Sequence, residues 1–157
     1  MGKPALTFEE VHNKIEYLRH ELEKDIDNPI LTTTMESYLH DFSFENKTLS
    51  IAFPVLKHEL NPNGTMIGGI MQTALDMTYG LLIYFLDGEV MPPTISMTTN
   101  FLKPIFLGDT LIVTTKIDSW GKKVIHLTGT CTSKKSGDTI VTSTSVFLGT
   151  SLCEKKL

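Results

Sequence analysis

The feature that most constrains this chain is a stretch of apolar sequence from Met66 to Leu86. It reads MIGGIMQTALDMTYGLLIYFL, and a helix of this length, at about 1.5 Å per residue, comes close to crossing the core of a lipid bilayer. Asp76 lies at its centre, however, and a carboxylate in the middle of a membrane helix costs at least about 2.5 kcal/mol. The stretch therefore predicts a long helix buried on most sides within a protein. No membrane partner is expected.

Periodic patterns on either side of this stretch predict the other elements. Apolar residues three or four positions apart predict an amphipathic helix over residues 7–26, with Thr7 and Glu10 in the register of a capping box. Alternating or β-branched runs predict strands over residues 38–44, 49–53, 94–102, 109–120, 124–133 and 139–148. The expected order is a helix, two strands, the long helix and four more strands.

This order predicts a single α+β domain that spans residues 1–157. Consecutive strands joined by short turns form antiparallel sheets, and the sheet has to cover the apolar helix. A curved sheet of about six strands wrapped around the central helix would do so, with the N-terminal helix as an addition. The part of the central helix left exposed would require a partner. The chain is therefore expected to form at least a homodimer, and a homotetramer could arise by pairing dimers.

Charge and cysteine content narrow the classes of function. The chain has 14 basic and 18 acidic residues and a net charge of −4, with Arg19 as its only arginine. Nucleic acid is therefore not an expected partner. Cys131 and Cys153 form no CxxC pair, and the five histidines lack metal-ligand spacing. We expect a cytoplasmic protein without a metal site or other cofactor.

The central helix carries the residues best suited to chemistry. Gly68 and Gly69 open it, where the first backbone N–H groups have no partner inside the helix and can stabilise a developing oxyanion. Tight packing of the helix end is the other explanation for these glycines. Asp76 is costly in so apolar a helix unless it is paired or takes part in function. It lies about 12 Å along the helix from Gly68, so only in a dimer with antiparallel neighbouring helices would it face a glycine end.

A short motif ahead of the central helix extends this pattern. Residues 61–69 read NPNGTMIGG, and Asp76 follows seven residues after Gly69. The pattern resembles the signature of hotdog-fold acyl-CoA thioesterases of the phenylacetate-pathway (PaaI-like) type. Further landmarks of that family match at Pro93-Thr94, Phe101-Leu102-Lys103-Pro104, Leu107-Gly108-Asp109 and the hairpin around Gly121-Lys122. The resemblance covers roughly residues 36–150. It implies a hotdog fold and hydrolysis of an acyl-CoA to free acid and CoA.

The resemblance also implies roles for individual residues. Asp76 is the nucleophile or general base, and the Gly68 amide polarises the thioester carbonyl. Asn61 positions the attacking water or the thioester, and Thr94 supplies a hydroxyl that assists the water, although both could be ordinary turn and strand residues. The expected substrate-binding residues are Gly69, Ile67, Lys103, Lys122 and Lys123, of which the lysines would bind the phosphates of CoA. An apolar acyl pocket is expected to include Met66, Met71, Met77, Tyr79 and Ile83.

Ile67 departs from the family pattern. Members most often have histidine at this position, and an isoleucine side chain cannot donate, accept or orient a hydrogen bond. Activity would survive if the carboxylate and the oxyanion donor suffice. The alternative is a non-catalytic hotdog protein that only binds acyl-CoA.

Overall fold

The computed structural model describes residues 5–23, 34–87 and 90–153. The helices and strands in these ranges follow the order expected from the sequence. They are α1 (Phe8–Glu23), β1 (Tyr38–Ser43), β2 (Thr48–Pro54), α2 (Gly68–Asp87), β3 (Thr94–Phe101), β4 (Thr110–Trp120), β5 (Val124–Ser133) and β6 (Thr139–Leu148). Short 3₁₀ turns lie at Lys57–Glu59 and Thr150–Leu152.

The described strands form one antiparallel sheet in the order β1-β2-β4-β5-β6-β3. β4, β5 and β6 follow one another in the chain through short turns, which favours adjacent antiparallel pairing. β2 pairs with β4, whereas β3 pairs with β6. The segment that carries α2 and β3 therefore crosses the sheet, and β3 becomes an edge strand although it precedes β4 in the chain.

α2 packs against β2, β3, β4, β5 and β6. Its buried side chains include Met71, Ala74, Leu75, Thr78, Tyr79, Leu82 and Ile83. Another face of the helix is only partly covered and carries Gly69, Gln72, Thr73 and Asp76. The sheet thus covers the central helix as predicted and leaves one stripe of it accessible. Among the described residues, no helix is both long and apolar enough to span a membrane.

α1 begins with the predicted capping box. The hydroxyl of Thr7 accepts the N–H of Glu10 at 3.3 Å, and the Glu10 carboxylate accepts the N–H of Thr7 at 2.7 Å. These bonds satisfy two N–H groups at the start of the helix. Val11 and Ile15 are buried, and α1 packs against β1. Residues 24–26 of the predicted helix lie outside the described ranges.

A β-bulge in β3 sets the direction in which Thr94 points. Thr94 lies opposite Phe147 of β6 and Ser96 lies opposite Val146, so Ile95 is the extra residue. Opposed residues of an antiparallel pair project to the same face of the sheet, and Phe147 is buried in the core. The bulge therefore turns Thr94 toward α2. Without it, Thr94 would share the outer face with Ser96.

The loop between β3 and β4 is tied to the β5–β6 turn through Asp109. Gly108, just before it, has a φ of +82°, a conformation that favours glycine. The Asp109 carboxylate accepts hydrogen bonds from the hydroxyl of Ser133 and the N–H groups of Thr110 and Lys135. Burial opposes ionisation, but these bonds hold the pKa of Asp109 below its usual value. This landmark of the resemblance therefore has a structural explanation.

Candidate active site

Asp76 and Thr94 meet between α2 and β3. The Thr94 hydroxyl donates a hydrogen bond to Oδ1 of Asp76 at 2.7 Å. Asp76 is half-buried, and within the described residues its Oδ2 has no hydrogen-bond donor. A carboxylate with one oxygen oriented by a hydroxyl and the other without a donor has the geometry of a general base or nucleophile. The structure thus brings together two residues that the sequence singled out separately.

The accessibility of Asp76 removes one of the sequence arguments for it. A carboxylate enclosed on all sides would be costly without a function. Asp76 instead lies on the partly covered stripe of α2, with Gly69 and Thr73. The case for Asp76 therefore rests on its contact with Thr94 and on its place in the motif, and not on the cost of burial.

The start of α2 is anchored, and its first amides have no backbone acceptor among the described residues. The N–H of Ile67 donates to the carbonyl of Glu59 at 2.9 Å, and the carbonyl of Ile67 accepts the N–H of Met71 at 3.2 Å. In the part of the chain that the structure describes, the N–H groups of Gly68 and Gly69 have no backbone acceptor. They lie at the positive end of the helix dipole. Such donors can bind an anionic oxygen.

Gly68 and Gly69 differ in what surrounds them. A Cβ at Gly68 would lie 3.2 Å from ring carbons of Phe101, so that ring lies against the start of the helix. A Cβ at Gly69 would meet only the side chain of neighbouring Ile67, at 4.0 Å. Tight packing therefore accounts for Gly68 and does not account for Gly69.

Asn61 organises the loop ahead of α2. Its Oδ1 accepts the N–H groups of Asn63 at 2.9 Å and Thr65 at 3.2 Å, and its Nδ2 donates to the Thr65 hydroxyl at 2.8 Å. Gly64 completes the turn with a φ of +75°. No hydrogen bond described here joins Asn61 to Asp76. The geometry favours a turn-forming role for Asn61 over direct contact with water or substrate.

An open groove of about 310 Å³ lies beside the start of α2. It is bounded by the first turns of α2, the end of β3 and the loop that follows β3. The lining residues are Thr65, Met66, Gly68, Met71, Phe101, Leu102, Lys103 and Pro104. The groove therefore combines apolar walls with a helix N-terminus and one cationic side chain.

The predicted lysines do not gather at this groove within one chain. Lys122 and Lys123 form the β4–β5 turn, and the carbonyl of Lys123 accepts the N–H of Gly149, just after β6. β6 runs antiparallel to β3, so this end of the sheet is the one where β3 begins, at Thr94. Lys103 follows the other end of β3 and lines the groove.

The predicted acyl-pocket residues lie in two places, the groove and the hydrophobic core. Met66 and Met71 line the groove. Tyr79 and Ile83 are instead completely buried in the core, and Met77 packs against it. Tyr79 and Ile83 are therefore core residues and not groove residues, a distinction that helical spacing alone does not make.

Glu59 is a buried carboxyl group that the sequence did not single out. It is 2% exposed, its Oε2 accepts the N–H of Leu56 at 3.0 Å, and its Oε1 has no partner in the described ranges. Burial raises the pKa of Glu59 above its usual value. The spacing from Leu56 to Glu59 is that of a capping box, but leucine is a poor signal for one. Among the described residues, no three His, Cys, Asp or Glu side chains could hold a metal ion.

The segment that contains most of the motif, together with the Asp76–Thr94 pair, has a counterpart among known families. Residues 63–140 match the family model described as Thioesterase superfamily. This segment belongs to the thioesterase superfamily. The match extends from the loop ahead of α2 to the start of β6. No curated protein sequence matches the chain at a significant level.

Solved structures of other proteins share the architecture. Zebrafish thioesterase superfamily member 2 has a TM-score of 0.72 at 17% identity, covering 85% of this chain and 97% of that one. The Escherichia coli PaaI protein from the phenylacetic acid degradation operon has a TM-score of 0.71 at 15% identity, covering 88% and 95%. The smu.793 protein from Streptococcus mutans UA159, bound to acetyl CoA, has a TM-score of 0.63 at 24% identity, covering 70% and 86%. The likeness confirms the predicted α+β hotdog fold.

Proposed function

We propose that this chain hydrolyses an acyl-CoA thioester, with Asp76 as the catalytic carboxylate and the Gly68 amide as the oxyanion donor. The observation that carries the proposal is the hydrogen bond from Thr94 to Asp76 within a thioesterase-superfamily segment. Thioester hydrolysis requires a base or nucleophile and an oxyanion donor. CoA as the carrier is supported by relatives of the same fold that were solved with acetyl CoA and with coenzyme A.

In the proposed reaction the thioester carbonyl oxygen accepts the N–H of Gly68. The carbonyl carbon is attacked by a water whose proton passes to Oδ2 of Asp76, or by Asp76 itself, which gives an anhydride that water then cleaves. Thr94 holds Oδ1 and so orients the reacting oxygen. The C–S bond breaks as the tetrahedral intermediate collapses, and the CoA sulfur leaves as a thiolate that takes up a proton. A preorganised oxyanion donor contributes roughly 3 kcal/mol to such a step.

The proposed site requires two copies of the chain, because Asp76 lies about 12 Å along α2 from Gly68. β3 lies beside both of these residues of α2. Thr94, at its start, contacts Asp76, and Phe101, at its end, lies against Gly68. When two β3 edge strands pair antiparallel about a two-fold axis, the start of one lies beside the end of the other. The carboxylate of one subunit then faces the helix start of its partner.

Exposed apolar side chains at both ends of β3 support this homodimer. Met91 and Ile95, near the start, are 58% and 54% exposed, and Phe101 and Leu102, at the end, are 51% and 56% exposed. A two-fold axis would bring Met91 and Ile95 of one subunit beside the end of β3 in the other, where Phe101 and Leu102 lie. Such a pairing would also cover the unpaired backbone of the edge strand.

The same pairing would gather the predicted phosphate-binding lysines. Lys103 follows the end of β3, whereas Lys122 and Lys123 lie at the end of the sheet where β3 begins. Two antiparallel β3 strands would therefore bring Lys103 of one subunit toward the other two lysines of its partner. CoA phosphates would then meet cations from both subunits.

Asp76→Asn tests the proposed catalytic carboxylate. We expect kcat to fall by about 100-fold or more across short, long and aromatic acyl-CoAs, because a positioned acid–base group contributes at least that much. Release of free CoA is followed with a thiol reagent, and circular dichroism checks the fold. Asp87→Asn, at the other end of α2, is the control with the same change of charge. Unchanged turnover in Asp76→Asn rejects the assignment.

Binding of acyl-CoA without hydrolysis is the second candidate function. The observation that favours it is Ile67. Its side chain is apolar and 40% exposed, and it directly precedes the first amides of α2. Tight binding of an acyl-CoA by the unmodified protein, with no release of thiol, would establish this function in place of hydrolysis.

A further inference from the structure

We infer that Asp138 competes with the phosphate groups of the ligand for Lys103 and thereby sets how strongly the groove favours CoA over a phosphate-free analogue. The inference deepens the proposed function and rests on it for the identity of the ligand. It does not depend on the catalytic roles of Asp76 and Gly68. Asp138 itself does not line the groove.

The contact that carries the inference is an ion pair beside the groove. Lys103 is the one cation among the groove-lining residues, and its Nζ lies 2.6 Å from Oδ1 of Asp138. The side chains remain 53% and 47% exposed. A phosphate can therefore approach the ammonium from solvent and replace the carboxylate. Lys103 also holds the pKa of Asp138 below its usual value, so the competing group is ionised at neutral pH.

Asp138 is held in place on a turn, whereas Lys103 has a flexible side chain. The carbonyl of Asp138 accepts the N–H of Ser133 at 2.9 Å, and its own N–H donates to the Ser136 hydroxyl at 3.2 Å. The turn is anchored in addition through the carboxylate of Asp109. A ligand therefore draws the ammonium away from a carboxylate that stays beside the groove.

The neighbouring cations have other partners. The ammonium of Lys134 donates to the Tyr38 hydroxyl at 3.1 Å, at the first strand of the sheet. Lys135 lies beside Gly108 and helps to lower the pKa of Asp109. Neither lysine lines the groove. The balance between Lys103 and Asp138 therefore determines the local charge that an anionic ligand meets on this chain.

Removing the charge of Asp138 should strengthen the binding of phosphates. Asp138→Asn releases the ammonium of Lys103 and also removes a negative charge that would repel the ligand. Exposed ion pairs are weak, so we expect the Kd for CoA to fall by about two- to fivefold. The difference should be larger near 0.05 M salt than near 0.5 M salt, because salt screens exposed charges. Pantetheine, the thiol-bearing part of CoA without its phosphates, should bind both proteins equally.

Calorimetric titration of the full-length protein with CoA and with pantetheine, both free thiols, measures these effects without turnover. Asp118→Asn is the matched control, since its carboxylate accepts a hydrogen bond from Thr128, between β4 and β5 and away from the groove lining. Asp138→Asn should have a much smaller effect in a Lys103→Met background, where only the direct repulsion between the carboxylate and the phosphates is removed. That double variant separates the ion pair from a general change of net charge.

The outcomes distinguish this inference from the proposed function. If CoA binds the unmodified protein and Asp138→Asn leaves its Kd unchanged, the inference is wrong and the proposed function stands. An equal gain in Asp118→Asn, or for pantetheine, also overturns the inference, because it removes the specificity for Lys103 and phosphate. If CoA binds none of the variants, the ligand of the proposed function is wrong and the inference fails with it. Loss of hydrolysis in Asp76→Asn leaves the binding test intact.

Discussion

The side chain of Ile67 can be changed without disturbing the helix that it precedes. It is 40% exposed, and its backbone N–H and carbonyl are held by Glu59 and Met71 whatever the side chain. We expect Ile67→His to fold like the unmodified protein and to raise kcat about tenfold, because an imidazole beside the helix start can donate a hydrogen bond near neutral pH. Thiol release from acyl-CoAs measures the gain, and thermal unfolding checks stability.

Ile67→Asn tests whether the gain requires a titratable side chain at position 67 or only a polar one. Asparagine is polar but does not titrate, so the gain in kcat should be larger for histidine and should follow a pKa of about 6.5. A folded Ile67→His variant that gains no turnover contradicts the idea that only a helper side chain is missing. Joint loss of stability and activity would instead place Ile67 in an acyl pocket fitted to it.

Glu59 makes stability depend on pH. Burial raises the pKa of this carboxyl from its usual value of 4.5, so the folded state holds the proton more tightly than the unfolded state. The contribution of Glu59 to the free energy of unfolding therefore falls as the pH rises from 4.5 through the raised pKa. Glu59→Gln removes the charge and keeps an oxygen for the N–H of Leu56. We expect urea denaturation to show the variant more stable than the unmodified protein at pH 7, with a smaller difference near pH 4.

Glu10 provides a control of opposite sign. Hydrogen bonds from the N–H and hydroxyl of Thr7 lower the pKa of Glu10. Its contribution to stability is present above the usual pKa and is lost as the pH falls through the lowered one. Glu10→Gln should therefore destabilise the protein at pH 7 and have less effect in acid. If the change in stability followed the same pH trend in both variants, neither carboxyl group would be the source of the pH dependence.

At the scale of secondary-structure elements, α2 approaches β5 closely where Tyr79 crosses Gly129. A Cβ at Gly129 would collide with the Tyr79 hydroxyl and lie 2.9 Å from Cδ2 of Leu75, and all three residues are buried. Glycine is required here because the helix and the strand leave no room for a side chain. Gly129→Ala should lower the free energy of unfolding by about 1–3 kcal/mol. Urea denaturation measures the loss.

A second change tests the cause of that loss. Tyr79→Phe removes the hydroxyl that meets the new methyl group, so the Gly129→Ala/Tyr79→Phe double variant should recover part of the stability. Gly69→Ala is the matched control, since its Cβ would meet only the side chain of Ile67, at 4.0 Å, and we expect no loss of stability. A Gly129→Ala protein as stable as the unmodified one would contradict the close approach.

The elements themselves were more predictable than the way they pair. β3, β4, β5 and β6 combine β-branched runs with Gly or Pro at their ends, and each was predicted to within one residue. The pairing of β3 with β6 has no comparable local signal, because it joins segments that are distant in the chain. The direction of Thr94 depends on that pairing, since an unbroken alternation would place it on the same face as Ser96.

In the candidate site, too, residues of one short motif were predictable, whereas residues that depend on contacts between distant segments were not. Asp76 and Gly68 belong to a short contiguous motif, so one sequence was enough to single them out. Glu59 was missed because its character comes from burial, and Asp138 because it meets Lys103 across 35 positions of the chain. Tyr79 was assigned to a pocket because helical spacing separates faces but does not say what covers each face.

At the scale of the whole molecule, the unpaired edge of β3 predicts self-association. Light scattering at micromolar concentration should give at least twice the 17.5 kDa of one chain. Ile95→Lys adds a charge to this edge, and we expect it to shift the protein toward the monomer and to lower kcat by about tenfold or more, because the proposed site needs two subunits. Phe8→Lys, at an exposed position of α1, is the control. A fully active monomer would contradict both the dimer and the shared site.

The position of β3 in the sheet also determines when the candidate site can form during synthesis. β3 joins the sheet only through β6, and β6 is the last of the described strands in chain order. On the ribosome, residues 94–101 have no pairing partner until residues 139–148 have emerged, whereas β2, α2 and β4 can already pack together. The contact between Thr94 and Asp76 therefore comes last. A nascent chain that stalls before β6 would bury much of its central helix and still lack the pair on which the proposed hydrolysis depends.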